Sequence, residues 1–207
     1  MNEQQPGGCA VMVYCVKSRL VAALALMGCV LVGIPAVAQI KLSKTDLVNS
    51  LQGIEAASFD VAALRAAVAR SMSDPARVDR VNREPLSEQL DRLAQITIAV
   101  QFDFNSARIR PESYRSVGLM ADTLYHPYLL GYRVLVVGHT DGKGSREYNL
   151  KLSQQRADAI REALVNPFGI EPRRIEAIGL GEEQLLNRAN PEAAENRRVQ
   201  LINIGRM

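Results

Sequence analysis

The 207-residue chain has only two histidines, His126 and His139, too few to build a histidine metal site without extensive help from carboxylates. His139 and Asp141 stand two apart, a spacing that shares one face of any strand or its extension, so the pair does not call for a metal. The three cysteines, Cys9, Cys15 and Cys29, all precede Ala38. A net charge of +3, with no dense Lys/Arg patch interleaved with aromatics, excludes a nucleic-acid partner as the natural reading. No nucleophile-elbow motif accompanies Ser145 or Ser153. Gly142-Lys143-Gly144-Ser145 fails as a phosphate loop: counted from Gly138, Lys143 occupies the position of the second glycine. The residues support no catalytic role, no cofactor and no metal.

What is present begins with Lys17 and Arg19, then an uncharged run from Leu20 to Ala38 ending in Ala36-Val37-Ala38-Gln39. Positive flank, apolar stretch and small-x-small ending predict a secretory signal peptide over residues 1–38, cleaved after Ala38. The alternative is a retained membrane anchor, since the run approaches the ~20 residues that span a bilayer. Leu26-Met27-Gly28-Cys29 is only faintly like a lipoprotein processing site, and the residues before Met12 are atypical for a leader, which leaves Met1 and Met12 as alternative starts. Cleavage after Ala38 would leave an exported chain without cysteine, stabilised by its core alone.

Residues 39–95 are rich in alanine, arginine and acidic side chains. Leu47, Leu51 and Ile54 recur at helical spacing, as do Val61, Leu64 and Val68, then Leu86, Leu90 and Leu93. Ser73-Asp74-Pro75 and Glu84-Pro85 interrupt them. The stretch is expected to form short amphipathic helices, acting as a tether or a partner-docking arm, or a partly disordered linker.

Residues 96–207 read as one domain. Ile96–Phe102 alternates as a half-buried strand. Pro111 can open a helix running to about Tyr125 that buries Tyr114, Val117, Ala121 and Leu124. Tyr132–Val137 forms a second strand, followed by Gly138 and a polar, glycine-bearing turn. Ser145 is the expected N-cap of the next helix, which Pro167 and Gly169 end. Arg174–Gly179 and Arg198–Ile204 supply two more strands around a polar loop, Gly181–Glu195. Strand-helix-strand-helix-strand-strand is an α/β (α+β) sandwich with helices on a mixed sheet.

On the second helix, Asn149, Ser153 and Arg156 fall within about 60° of one another, on the face that Ile160 and Ala163 continue. An arginine there requires an anion, and Asp141 is the nearest upstream candidate in this unit. Two arrangements satisfy them: an internal ion pair, or a cleft where the acid takes an ammonium and the guanidinium a carboxylate.

Gly138-His139-Thr140-Asp141, Gly144-Ser145, Tyr148-Asn149, Leu152-Ser153 and Arg156-Ala157 resemble the signature of the OmpA-like peptidoglycan-binding domain. Phe102-Asp103-Phe104-Asn105-Ser106-Ala107 and Asn196-Arg197-Arg198-Val199 agree in the expected order, so the match runs from about Ile96 to Ile204. The resemblance implies the same β-α-β-α-β-β architecture and non-covalent binding of peptidoglycan through stem-peptide diaminopimelate, whose amino and carboxylate groups share one carbon. It implies Asp141 and Arg156 as the principal pair. Asn149, Thr140, Asp103, Asn105 and Arg197 follow as supporting contacts. Arg197 and Arg198 have an alternative as edge-strand partners of Glu192 or Glu195, and Phe102 and Phe104 are expected in the core. The family also implies a periplasmic or outer-membrane setting. A second function remains open, a periplasmic adaptor whose 39–95 arm recruits an envelope protein.

Overall fold

The computed structural model describes residues 43–52, 59–73 and 90–207. The leader, its cleavage point, both starts, the cysteines, Ile54 and Leu86 lie outside the described residues. Eight principal elements follow in order: α1 Lys44–Leu51, α2 Val61–Ser73, β1 Gln95–Ile98, α3 Tyr114–Leu124, β2 Tyr132–His139, α4 Arg146–Val165, β3 Ile175–Gly181 and β4 Val199–Arg206. The strands form one sheet in the order β1-β4-β2-β3. β2 and β3 are parallel, joined through α4 as parallel neighbours must be, and β4 runs antiparallel to both β1 and β2. This is the mixed sheet with helices that the strand and helix pattern predicts.

Both faces of the sheet are covered, which explains why β2 is aliphatic at every position from Val134 to Val137. Val134 and Val136 join a core with Val117, Met120 and Leu124 of α3 and Ala157, Ile160 and Leu164 of α4. Leu135 and Val137 face the other way, into a second cluster with Ile178, Leu180, Ile202 and Ile204.

The helices of the 39–95 stretch close these two cores. Leu47, Val48 and Leu51 of α1 are buried in the first, and Val61 and Leu64 of α2, with Leu90, in the second. Ser43 caps α1 in a reciprocal box with Asp46. Helices this short are marginal alone in water, so packing holds them, at roughly 1.5–3 kcal/mol for each large side chain buried. Side-chain bonds add to it: Asn203 Nδ2 donates to the Leu51 carbonyl at 2.9 Å, and Arg65 pairs with Glu176 at 3.1 Å. Where the stretch is described, its apolar faces are therefore turned onto this domain and not held out for a partner.

Two other expectations change. β1 ends at Ile98, and Phe102 meets Ile109 through a single bridge, because the Gln101 amide bonds Ser113 Oγ at 2.8 Å and draws the chain off the sheet. Tyr114 is exposed at the start of α3, which follows a separate tight turn at residues 111–113, while Val117, Ala121 and Leu124 are buried as expected and Met120 joins them.

Candidate functional site

The site is built where β2 ends and α4 begins. Gly138 of β2 and Gly179 of β3 are register partners, and α4 rests on both. A Cβ on Gly138 would lie 2.3 Å from the Ser153 carbonyl oxygen, and one on Gly179 would lie 2.1 Å from the Gln154 amide nitrogen. That close approach lets Ser153 Oγ accept from the Gly181 amide at 2.8 Å and Gln154 Oε1 accept from the Gly179 amide at 2.8 Å. Ser145 caps α4 by accepting from the Tyr148 amide. The N-terminal half of α4 is thereby seated against the ends of β2 and β3.

Asp141 sits in that loop with its side chain largely covered. Its Oδ2 accepts from Arg197 Nη1 at 2.7 Å, and its Oδ1 from the Lys143 amide at 3.3 Å. Its carbonyl accepts from Asn149 Nδ2 at 3.2 Å. Asn149, buried, donates also to Glu182 Oε2 at 2.6 Å, so it acts as a clamp between the loop and the strand end. Thr140 is buried, and its hydroxyl has no hydrogen-bond partner among the described residues.

Arg156 is held differently. Its Nε donates to the Ser106 carbonyl at 3.0 Å, and its guanidinium lies 5.0 Å from the centre of the Phe102 ring. No carboxylate lies within salt-bridge distance of it among the described residues. Burial pushes its pKa down. Tyr148 opposes that shift, Arg197 adds to it, and Asp141 again opposes it. Acid and arginine thus share one neighbourhood without pairing, and the acid's partner is Arg197.

The structure brings Asp141, Thr140, Asn149, Arg156 and Arg197 together. It brings the loop carrying Asp103 and Asn105 alongside through Ser106, although Asp103 itself makes only a long, exposed pair with Arg108 at 3.8 Å. Asn105 is exposed at the loop tip with φ of 52°. Arg198 binds carbonyls of Gln184 and Asn196, not Glu192 or Glu195. Phe102 is part core and part platform, whereas Phe104, expected in the core, is wholly exposed.

Sequence reasoning missed Asn196 and Glu182. Asn196 is fully buried; it donates to the carbonyls of Asn187, Asn190 and Pro191 and accepts from the Asn187 amide, and Pro191 in turn accepts from the Gly142 amide at 2.9 Å. One amide side chain thus shapes the polar loop that backs Asp141. Its place before the paired arginines was a signal, but a loop asparagine has no periodicity to betray its burial.

The domain is a small α/β unit with Asp141 and Arg156 near the carboxyl end of its parallel strands, and no carboxylate pairs with Arg156 among the described residues. Residues 101–198 match the OmpA family, so the chain carries an OmpA family domain. It is 37% identical over 111 residues to outer membrane porin F of Pseudomonas aeruginosa, covering 52% of this chain and 31% of that protein. Over 102 residues it is 37% identical to the peptidoglycan-associated lipoprotein of Pseudomonas putida, covering 48% of this chain and 59% of that one. The crystal structure of the peptidoglycan-associated lipoprotein from Burkholderia pseudomallei is 35% identical, with a TM-score of 0.42, covering 50% of this chain and 87% of that one. The chain thus spans less than two thirds of the full-length relatives it matches. Among the described residues, no helix is long and apolar enough to cross a membrane.

Proposed function

We propose that this domain binds peptidoglycan non-covalently, with Asp141 taking the ammonium and Arg156 the carboxylate at the free end of a diaminopimelate side chain. The observation that carries the reading is Arg156, a partly desolvated guanidinium anchored by a carbonyl and an aromatic face, with no carboxylate of its own among the described residues. Such a group has its outer donor edge available for a planar anion. The unpartnered Thr140 hydroxyl offers a further contact beside Asp141, and Arg197 limits Asp141 until an ammonium competes for it. Relatives named for peptidoglycan association support the ligand class.

In this reading the protein is exported to the periplasm, with its leader cleaved after Ala38, and serves at the wall or the outer membrane as a non-catalytic anchor. Mass spectrometry of the exported protein should find Gln39 at its N-terminus. Co-sedimentation of the mature protein with purified peptidoglycan, against Asp141→Ala, tests the binding. Stem peptides with diaminopimelate or lysine at the third position test the ligand: lysine keeps the amine and lacks its neighbouring carboxylate. Equal binding of the two would overturn the assignment.

A further inference from the structure

Phe104 is 100% exposed, against 39–68% for the other large apolar side chains at the surface. It stands at the tip of the loop that Phe102 and Ile109 close, and the Asp103 amide bonds the Arg108 carbonyl at 3.0 Å across the loop's neck. Two residues further on, the Ser106 carbonyl takes Arg156 Nε. The loop is therefore fastened to the candidate site, and the ring it lifts into solvent stands at the site's edge. On another side stands Tyr148, also exposed, its ring 3.5 Å from where a Cβ on Gly144 would lie and close enough to Arg156 to influence its charge.

We propose that Phe104 is a sugar platform: its face packs on the apolar face of a pyranose in the glycan strand whose stem peptide the Asp141–Arg156 site holds. The inference rests on the wall-binding reading above. Reach supports it. The two Cα–Cα steps from Ser106 to Phe104 and the length of a phenylalanine side chain place the ring centre no more than about 14 Å from the carbonyl that holds Arg156. The two residues and linking group between the third stem residue and its sugar span roughly 10 Å when extended. Chemistry supports it as well. A lone ring with no pocket around it suits a flat, rigid partner with an apolar face and polar edges, because the ring covers that face while water keeps the hydroxyls.

Calorimetry compares a disaccharide-bearing muropeptide with the same stem peptide lacking sugars, for the mature protein, Phe104→Ala, Phe104→Tyr and Asp141→Ala. The unaltered protein should bind the muropeptide about two- to tenfold more tightly than the bare peptide. Phe104→Ala should abolish that difference and leave bare-peptide affinity unchanged, while Phe104→Tyr should keep most of it. Asp141→Ala should weaken both ligands alike. Equal binding of the two ligands by the unaltered protein overturns the sugar platform alone. Equal weakening of both by Phe104→Ala also overturns it, since the ring would then serve the peptide. Failure of the unaltered protein to bind either ligand overturns the wall-binding reading itself.

Discussion

Arg197 Nη1 lies 2.7 Å from Asp141 Oδ2, so the carboxylate nearest upstream of Arg156 in its strand–turn–helix unit is engaged by a residue 56 positions downstream. Of the two arrangements open from sequence, the internal Asp141–Arg156 pair is not the one formed: Arg197 holds the acid, and Arg156 is anchored by the Ser106 carbonyl. The acid has a half-exposed partner, and the arginine has no carboxylate within salt-bridge distance among the described residues.

That relationship separates stability from binding. Arg197 is half exposed, and exposed ion pairs contribute roughly 0–1 kcal/mol. Asp141→Ala should therefore lower the melting temperature by only a few degrees, because it strands no buried charge. Its muropeptide affinity should nevertheless fall about ten- to a hundredfold, the loss expected for one charge-assisted contact, and Arg156→Ala should match it. Melting and binding are measured together for both variants and the double mutant. A loss of binding that merely tracks unfolding would remove the case for a ligand site.

The paired glycines carry a different expectation. Gly179→Ala drives a methyl group into the backbone of α4 at Gln154, where a flexible side chain cannot give way. Overpacking of this kind costs about 1–3 kcal/mol or more, which lowers the melting temperature by several degrees at this size. Gly131→Ala is the control, since nothing lies within 4 Å of an added Cβ there. Similar melting curves for the two variants would contradict the close seating of α4.

How much of this was legible in the residues depends on how locally each feature is encoded. β2, α4 and the cap at Ser145 follow from a four-residue aliphatic run, a glycine turn and a 3.6-residue period, all short-range signals. The Asp141–Arg197 pair joins segments far apart in sequence, and the Asn196 bonds close a loop that carries no period, so no pattern announces either. α1 and α2 show the intermediate case: their apolar stripes are visible at Leu47, Leu51, Val61 and Leu64, but a stripe does not say what covers it. Phe104 lies beyond such rules, because its exposure is set by the hairpin-like loop around Asn105.

The packing of α1 and α2 leads to a third expectation, on the proposed boundary at residue 96. Residues 96–207 contain the sheet but for Gln95 of β1, with α3 and α4, and a fragment of that span should unfold cooperatively. It should do so at a lower temperature than residues 43–207, because losing α1 and α2 uncovers Leu135, Val137, Ile202 and the surface beneath Leu47 and Leu51. Each uncovered side chain forfeits part of the roughly 1.5–3 kcal/mol of its burial. Identical melting of the two fragments would mean that the helices contribute nothing, and an insoluble shorter fragment would move the boundary to residue 43.

The last expectation concerns acid. His139, at the end of β2, is buried, and neither ring nitrogen has a hydrogen-bond partner among the described residues. Burial, and then the neighbouring Arg198 guanidinium, hold its pKa well below the ordinary value of 6.5, against a smaller opposing influence of the Gln200 side chain. Arg198 is itself pushed down by burial to about 10 and so still carries its charge at neutral pH. Well above pH 6.5 the ring is neutral in both folded and unfolded chains, and it makes stability no function of pH. As pH falls below 6.5 the unfolded chain takes up a proton that the folded chain refuses, so stability declines toward the folded value at up to about 1.4 kcal/mol per pH unit. Free carboxylates titrate nearer pH 4 and contribute little between about pH 6.5 and 5. Denaturant unfolding at intervals across that window should show a decline that His139→Gln flattens, whatever the variant does to stability at pH 8. Parallel pH profiles for the two proteins would mean that His139 reaches solvent or is already charged within the fold.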